Sequence, residues 1–556
     1  MTALLLLAIV SGTADAPAAS LRLILTSDLC CRSRPAADFR SPGLPRRALG
    51  GWAGLERTVD SLRARPSLFL DCGGFAFGSL EGNASRGRLG VELLNALGCD
   101  AAAIGARDFS GGLANLEVLA LVAQFPLVAD PMLDVSLRRR APLFRPYVLL
   151  RCNDVRVAVI GLLDPDTRRV NPPGDVPGIA VEPVLAQCRR FLAAAAPESA
   201  DVTVVIGHIG AADARLIADS VAGVDVVVAG DEEAEPMRLG GTSTAVLVAG
   251  RLGQRVGVAD LRVDRAARKV ERVEYVVLNV EPAEAAGPVQ RLLERADSLV
   301  GPDTLACFVP VELGPDSAGL LALGSTACRL LAERHRADVV LLPWHVMGQG
   351  LDPGRNTARA LAAAVPFGDR LCVVGLDDTA LARLAAPAVA DTFEPAMPAW
   401  GIDYFVTGDT AAWPRAVEVT RPRLRQRKLG EYRVVTTVGL YAASELGFES
   451  RGLPGDLTLD WVAEALALDT LRPAAPPRRL AAAPGARPKS VPGLVNLNSA
   501  DAAALMTLPG VGPKTAQRII DYRTQVGRFG SVEELMNVRG IGPKKYEQVR
   551  ALVCVR

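Results

Sequence analysis

The sequence predicts an α/β body followed by a small all-α domain, and three patterns lead to this prediction. From about residue 21 to residue 280, continuous apolar strands alternate with helical segments and end in polar loops. This arrangement is typical of a buried sheet flanked by helices. A second α/β pattern covers residues 314–470, and the last segment, 494–556, is helical and punctuated by glycines.

The bulk composition makes several classes of site unfavourable. The 62 basic side chains almost balance the 61 acidic ones, so contact with nucleic acid or membrane requires a local patch. Only three histidines are present, which disfavours a histidine-rich metal centre. Two of them, His335 and His345, are interpreted as a helix-end residue and an ordinary loop residue. None of the ten cysteines forms a C-x-x-C pair, so no zinc ribbon is expected.

The chain is predicted to have six segments. These are a signal peptide (1–20), a first α/β domain (21–280), a connecting helix and linker (281–313), a second α/β domain (314–470), a Pro/Arg-rich linker (471–493) and the helical domain (494–556). The linker holds six prolines and five basic residues without an acid, which predicts an extended spacer.

The N-terminus has the pattern of a secretory signal. An apolar run at residues 3–10 precedes an A-x-A pattern that ends at Ala16. We therefore expect export to the periplasm or the extracellular space. If the run is a first strand or a disordered tail, the expected location is cytoplasmic. No run reaches the roughly 20 apolar residues that a membrane-spanning helix needs, so no transmembrane span is predicted.

The C-terminal segment contains an internal repeat. The stretches LMTLPGVGPKTAQRIIDYR, which starts at Leu505, and LMNVRGIGPKKYEQVRALV, which starts at Leu535, share G-[VI]-G-P-K followed by a helix. Paired glycines permit a tight turn, and proline suits the first turn of the next helix. Backbone N–H groups at such a helix start attract an anion, and the adjacent lysines add positive charge.

This repeat resembles the helix-hairpin-helix motif, and the whole segment resembles the DNA-binding domain of the ComEA competence proteins. The resemblance implies sequence-independent binding of DNA through phosphate contacts. The segment carries nine Lys or Arg against five Asp or Glu. The predicted nucleic-acid-binding residues are Gly510, Val511, Gly512, Lys514, Thr515, Gly540, Ile541, Gly542, Lys544 and Lys545. The alternative is a module that only packs or binds proteins.

Six stretches of the first α/β domain occur in a familiar order: LILTSDLCCRSR, LFLDCGGFAFGS, NALGCDAAAIGARDF, VVIGHIG, GVDVVVAGDEE and AVLVAGRLGQRVGVADL. Together they resemble the metallophosphatase domain of the 5'-nucleotidase/UDP-sugar hydrolase family. The later stretch AVPFGDRLCVVGLDDTALARLA resembles the substrate-binding C-terminal domain of that family. The resemblance implies a four-layer β-sandwich flanked by helices. It also implies hydrolysis of nucleotide phosphate esters at a two-metal centre, which is the reaction of the family.

The first two metal-binding motifs of the family are altered in this sequence. The D-x-H motif keeps Asp28, but Cys30 stands in place of its histidine. The G-D pair that supplies the metal-bridging carboxylate is Gly73-Gly74. The bridging carboxylate is therefore absent.

The remaining motifs are altered as well. In the G-N-H-E/D loop, Ala106 and Arg107 replace the metal-binding asparagine and the catalytic histidine, and Asp108 follows them. The H-x-G histidine remains as His208, whereas the final G-H-x-H falls on residues 230–233, Gly-Asp-Glu-Glu. The catalytic residues are thus unknown, and the degenerate site positions are Asp28, Arg107, Asp108 and His208.

No cofactor and no metal are expected at this site. Without a bridging carboxylate two adjacent cations would repel each other, and Arg107 adds a fixed positive charge. The weak candidate ligands are Asp28, Cys30, His208, Asp231 and Glu233, and Mn or Zn would bind only to a rebuilt site. We expect instead that Asp28, Asp108 and the acids at 231–233 converge and that Arg107 pairs with some of them.

The favoured function is an exported DNA-binding protein with a catalytically silent nucleotidase-like scaffold, which would be free to bind an envelope or protein partner. One alternative is an active metal-dependent phosphoesterase that hydrolyses nucleotides at a rebuilt metal site. The other is a protein-interaction scaffold whose hairpins do not contact DNA.

Overall fold

The structure is a computed structural model of the chain. It describes residues 19–38, 46–129, 144–165, 167, 171, 181–195, 200–230, 244–301, 305–313, 317–343, 346–366, 368–390, 397–407, 416–420, 432–444, 446, 451–468, 470–474, 495–498, 500, 502–506, 508, 511–526, 529, 532–542, 545–546, 549 and 553–554. The apolar N-terminal run, most of the Pro/Arg-rich linker and His345 lie outside these residues.

The described strands are β1 (Ala19–Ser27), β2 (Pro35–Ala37), β3 (Ala48–Gly50), β4 (Ser67–Asp71), β5 (Ala101–Ala103), β6 (Leu127–Val128), β7 (Tyr147–Cys152), β8 (Val155–Leu162), β9 (Val202–Gly207), β10 (Val226–Ala229), β11 (Ala245–Val248), β12 (Gly250–Arg251), β13 (Arg255–Asp264), β14 (Lys269–Asn279), β15 (Leu305–Val309), β16 (Val339–Leu341), β17 (Gly354–Thr357), β18 (Arg370–Leu376), β19 (Ala399–Trp400), β20 (Asp403–Thr407), β21 (Ala416–Thr420), β22 (Tyr432–Thr437), β23 (Arg451–Asp456), β24 (Val495–Asn496) and β25 (Val553–Cys554).

The described α-helices are α1 (Trp52–Leu62), α2 (Leu80–Ala84), α3 (Arg88–Ala96), α4 (Leu113–Val122), α5 (Val184–Ala195), α6 (Ala211–Ser220), α7 (Gly287–Val300), α8 (Ser317–His335), α9 (Ala358–Ala364), α10 (Asp378–Ala390), α11 (Val438–Ala443), α12 (Leu457–Leu466), α13 (Ala502–Leu505) and α14 (Pro513–Val526). Two 3-10 helices cover Ala106–Phe109 and Val532–Asn537.

Two sheets face each other at the centre of the first α/β domain. The first has the order β14-β13-β1-β4-β5-β6, with β12 beside β1, and the second has the order β11-β10-β9-β8-β7. Leu23 of β1 and Val204 of β9 belong to the apolar layer between the sheets, whereas Ile24 and Val205 point to the opposite faces. Side chains alternate along a strand, so both faces of each sheet are apolar and the strands appear as continuous apolar runs.

Helices cover the two outer faces of this pair of sheets. Side chains of α1, α3 and α7 pack on the outer face of the first sheet, and those of α5 and α6 pack on the outer face of the second. The layers are therefore helix, sheet, sheet, helix. This confirms the predicted four-layer α/β sandwich.

The second α/β region forms a sheet of its own, in the order β19-β16-β22-β18-β23. Helices α8, α9 and α12 share its buried core, in which Trp461 is fully buried. The connecting helix that the sequence predicts is α7, and it has proline in its first turn.

The chain divides into two compact units. The first consists of Met1–Tyr404 and Val419–Arg479, and the second consists of Phe405–Glu418 and Leu480–Arg556. The C-terminal part of the second unit is helical, as predicted, and has a small apolar core that includes Leu505, Ile519 and Leu535. Strands β24 and β25 form a two-residue parallel pair in it, which the sequence did not predict.

The described residues contain neither a disulfide nor a membrane-spanning helix. The nine cysteines between Cys30 and Cys372 are free and buried, so they act as small apolar side chains. Within the described ranges, no helix has both the length and the apolarity needed to cross a bilayer.

Candidate functional site

Two of the predicted site positions, Asp28 and His208, are buried and lie together with the partly buried Arg251. We call these three side chains the Asp28 cluster. Asp28 follows β1, His208 follows β9, and Arg251 ends β12. One carboxylate oxygen of Asp28, Oδ1, lies 2.7 Å from His208 Nε2. The other oxygen, Oδ2, lies 2.5 Å from Arg251 Nη2. Sheet topology brings these strand ends together.

The charge on Asp28 is stabilised by this pairing. Burial alone would raise the pKa of Asp28, but Arg251 and His208 outweigh burial and hold that pKa well below its usual range. Asp28 is therefore ionised at neutral pH and occupied on both oxygens. Sequence reasoning found Asp28 and His208 but missed Arg251, because the family motifs give no role to that position.

The loop that carries Asp28 is held in an unusual conformation. Asp28, Cys30 and Cys31 all have positive φ angles, of 46°, 49° and 52°. The N–H groups of Asp28 and Cys30 donate to the carbonyl oxygens of Gly73 and Gly74, each at 2.8 Å. These hydrogen bonds join the loops that follow two neighbouring strands, β1 and β4. They stabilise the strained backbone conformation of the loop after β1.

Gly74 stands where the family has its bridging carboxylate, and the space beside it is filled. A Cβ atom at Gly74 would lie 2.3 Å from Asp28 Oδ1. The φ angle of Gly74, 77°, is also one that favours glycine. The Asp28 side chain itself therefore occupies the place that an aspartate at this position would need.

Asp108 has a structural role in the loop that precedes α4. Its carboxylate accepts hydrogen bonds from the N–H groups of Gly74, Ala76 and Gly105, at 2.8–2.9 Å. Burial raises the pKa of Asp108 to about 6, although these hydrogen bonds oppose the shift. Asp108 thus ties the Gly105 loop to the Gly74 loop and has little capacity left for another ligand.

Arg107 has a partner that the sequence did not predict. Its Nη1 donates to Asp369 Oδ1 at 2.7 Å, and both side chains are largely buried. Asp369 belongs to the second α/β region of the same compact unit, so this contact joins the two regions. The expected partners at 231–233 lie outside the described residues, so the predicted pairing of Arg107 with those acids stays a prediction.

Cys30 is a buried thiol close to Asp28. Burial, with help from the charge of Asp28, raises the pKa of this thiol to about 12. Asp71, which is also buried, accepts hydrogen bonds from Thr26 Oγ1 and from Gly73 N–H. Burial raises the pKa of Asp71 to about 8, so this carboxyl is mostly neutral at pH 7.

These residues do not fit a divalent metal pair. Asp28 Oδ1 contacts His208, Asp28 Oδ2 is paired by charge with Arg251, and Asp108 already accepts three backbone hydrogen bonds. Among the described residues, no group of three His, Cys, Asp or Glu side chains could hold a metal ion. Asp231 and Glu233 lie outside the described residues.

The hairpin unit has a different character. Val511 and Ile541 are buried in its core, whereas Gly512, Lys514 and Gly542 are exposed. A Cβ atom at Gly512 or Gly542 would meet no other atom within 4 Å. The surfaces of Gly512 and Gly542 are therefore open to a partner. The N–H groups of the predicted binding residues Val511 and Ile541 already donate to the carbonyl oxygens of Leu508 and Val538.

The start of α14 is fixed by local hydrogen bonds. The N–H groups of Thr515 and Ala516 both donate to the Gly512 carbonyl oxygen at 2.9 Å, and the Thr515 side chain is buried. In the second hairpin, Lys545 Nζ donates to the Gly540 carbonyl oxygen at 3.2 Å. Gly540 has a φ angle of 103°. Gly510 and Lys544 lie outside the described residues.

The first prediction concerns Arg251. Arg251→Gln would leave the buried Asp28 carboxylate without its guanidinium partner, so it should lower the free energy of unfolding of the first unit by about 3 kcal/mol. Denaturant unfolding measures this. The matched control is Arg88→Gln, because Arg88 forms an exposed pair with Glu92 at 2.8 Å and should matter little. A loss at Arg251 no larger than that at Arg88 would contradict the assigned role.

The second prediction concerns pH. Because the pKa of Asp71 is raised from 3.8 to about 8 in the folded state, the folded chain binds this proton more tightly than the unfolded chain. The contribution of Asp71 to the free energy of unfolding is therefore fully present below about pH 4 and decreases as the pH rises towards 8. Asp71→Asn should remove most of this decrease, which the raised pKa sets at about 5 kcal/mol, as measured by unfolding at pH values across this range. An unchanged pH dependence would show that Asp71 is ionised throughout.

Comparisons with known proteins agree with both predicted resemblances. The model for the helix-hairpin-helix motif matches residues 492–554. ComE operon protein 1 of Bacillus subtilis (strain 168) is 41% identical over 63 residues, which cover 11% of this chain and 31% of that protein. The 5'-nucleotidase of Bos taurus is 29% identical over 194 residues, which cover 33% of each chain.

The fold comparison extends over most of the chain. The 5'-nucleotidase precursor of Thermus thermophilus superposes with a TM-score of 0.70 at 20% sequence identity, covering 82% of this chain and 98% of that one. The matches to the curated relatives span only 11–33% of the length of those relatives. The chain combines a 5'-nucleotidase-like metallophosphatase fold with a C-terminal helix-hairpin-helix domain that is homologous to part of ComE operon protein 1.

Proposed function

We propose that this protein is exported, that it binds DNA without sequence preference through its helix-hairpin-helix domain, and that its nucleotidase-like body is a metal-free and catalytically silent scaffold. The observation that carries the proposal is the open surface at Gly512 and Gly542, where a Cβ would meet no atom within 4 Å. Each glycine lies directly before a Pro-Lys step at the start of a repeat helix.

The chemistry of this surface suits a phosphate backbone. A glycine allows a phosphate to approach the main chain closely, and a helix start has a positive electrostatic potential. Lys514 is exposed beside the first turn, and the segment has a net positive charge from nine Lys or Arg against five Asp or Glu. Phosphate contacts of this kind position a protein on DNA but carry no sequence information.

The silent-scaffold part of the proposal rests on charge balance. In the Asp28 cluster, Arg251 supplies the positive charge that a cation would supply. A metal that entered would have to displace both Arg251 and His208 from a buried carboxylate. Export is supported by the apolar run and the A-x-A pattern at the N-terminus. We propose an envelope or protein partner for the scaffold.

An active phosphoesterase is the second candidate. It is favoured by the survival of Asp28 and His208 in contact with each other, 2.7 Å apart, and by the acids at 231–233, which lie outside the described residues. On this alternative, Mn or Zn binds a rebuilt set of ligands and the protein hydrolyses nucleotides. Metal content and turnover distinguish the two candidates.

The third prediction tests DNA binding. The full chain should bind random-sequence double-stranded DNA with an affinity that falls steeply with salt, as measured by fluorescence anisotropy over a salt series. Lys514→Ala should reduce the slope of log K against log salt by about one. Gly512→Ala should weaken binding without lowering the melting temperature, because its added methyl group enters open space on the contact surface.

The control for these variants is Lys269→Ala, which removes an exposed lysine from β14 in the other unit. It should leave both the affinity and the salt slope unchanged. Gly540→Ala is a second hairpin variant and should weaken binding through strain in the turn, because Gly540 has a φ angle of 103°. Undiminished binding by all three hairpin variants would favour the protein-interaction alternative.

The fourth prediction tests the metal-free scaffold. Purified full chain, dialysed against a chelator and then against buffer, should contain far less than one Mn or Zn per chain by elemental analysis. With added Mn or Zn it should not hydrolyse nucleoside monophosphates or an aryl phosphate above the rate of an Asp28→Ala control. Near-stoichiometric metal, or turnover that Asp28→Ala abolishes, would establish the phosphoesterase instead.

A further inference from the structure

A cavity of about 260 Å³ lies between the sandwich and the second α/β region, and no residue of the Asp28 cluster lines it. One wall contains Arg32 and Ser33 from the loop after β1 and Glu81 from α2. The other wall contains residues between Gln349 and Ala363, including β17 and the start of α9. Both walls belong to the same compact unit. The cavity volume is close to that of the small-molecule sites of proteins.

The Arg32 side chain is buried at the edge of this cavity, with 8% of its surface exposed. Its Nη1 donates to Gln349 Oε1, on the opposite wall. Its Nε is buried and has no hydrogen-bond partner. Gln349 is the single side-chain partner that the described chain gives this guanidinium, and no carboxylate contacts it. Burial lowers the pKa of Arg32, but a guanidinium keeps its charge in proteins.

The Arg22–Asp260 pair of this chain shows that the Nε and Nη2 donors of an arginine suit a carboxylate. In Arg22, Nε and Nη2 donate to the two carboxylate oxygens of Asp260, each at 2.7 Å. This bidentate geometry is the strong form of an Arg–carboxylate contact. In Arg32, Nε and Nη2 make no such contact within the described chain.

The other charged groups on the cavity wall are neutralised. Glu81 accepts from Arg359 Nε at 2.8 Å, and Arg359 also donates to Asp297 at 2.9 Å. Arg34 is paired with Asp297 as well. Asp352 accepts from Arg46 at 3.1 Å. Among the residues that the structure describes, Arg32 is therefore the charged lining residue without an opposite charge in contact, and one negative charge on a ligand would balance it.

We propose that this cavity binds a small molecule through a single carboxylate group, which takes up the unused donors of Arg32. The planar fork of a guanidinium matches a carboxylate in shape, and the excess charge of the cavity wall matches it in sign and magnitude. An uncompensated buried charge is otherwise costly. The site is separate from the proposed DNA-binding surface and from the Asp28 cluster, so it can fail or hold independently of the proposed function.

The fifth prediction tests this site with acetate as the probe. Sodium acetate should raise the melting temperature of the full chain in a saturable way, relative to sodium chloride at the same ionic strength. Saturation-transfer NMR should show direct contact between the protein and the acetate methyl group. Arg32→Met should weaken acetate binding roughly thirtyfold or more. Without acetate, Arg32→Met should also melt higher than the parent, because it removes an unpaired buried charge.

Arg34→Met is the matched control, since Arg34 lines the same cavity but is already paired with Asp297. It should keep the acetate response. Arg32→Lys keeps the charge but removes the fork, so it too should lose most of the response. A response that is equal in Arg32→Met and the parent, or no saturable response in the parent, would overturn the proposal. Phosphate that stabilises the parent more than acetate does would overturn the assignment to a carboxylate.

Discussion

The buried negative charge of Asp28 is the constraint on which the centre of the sandwich depends. A carboxylate removed from water needs an opposite charge and donors on its oxygens. Here His208 and Arg251 provide both. With the charge balanced by a guanidinium, Gly74 needs no carboxylate, and the Asp28 side chain occupies the space next to it. The strained backbone at Asp28, Cys30 and Cys31 is kept because neighbouring loops hold it.

The same use of guanidinium groups connects the sandwich to the second α/β region. Arg107 contacts Asp369, and Arg359 contacts Glu81, with distances of 2.7 and 2.8 Å. In each pair both side chains are largely buried. Separating either pair would therefore cost much free energy. The position that bears the catalytic histidine in the family thus carries a contact between two regions of one unit. This contact fits a rigid scaffold better than a site that must open to a substrate.

The sequence predicts the architecture well and the pairing of charges poorly, for a physical reason. Ile24 and Val205 complete continuous apolar runs because both faces of each sheet are buried, and such runs can be recognised locally. Asp369, in contrast, lies 262 residues after Arg107. Arg251 is similarly remote from Asp28. Which arginine neutralises which acid depends on how strand ends meet. The stretches that carry the family resemblance assign no partner to Asp369 or to Arg251.

The two units distribute their polar groups in opposite ways, and this difference favours the hairpins as the binding part of the molecule. Around Asp28 and Asp108, the carboxylates are held by charged, ring and backbone N–H groups of the chain itself. At Gly512 and Gly542, main chain and open space face outward beside an exposed lysine. A surface donor without a protein partner costs little free energy, because water hydrates it. A buried donor without a partner has no such compensation. Arg32 is informative for that reason: a buried donor without a partner has a cost that water does not offset, and a bound anion removes it.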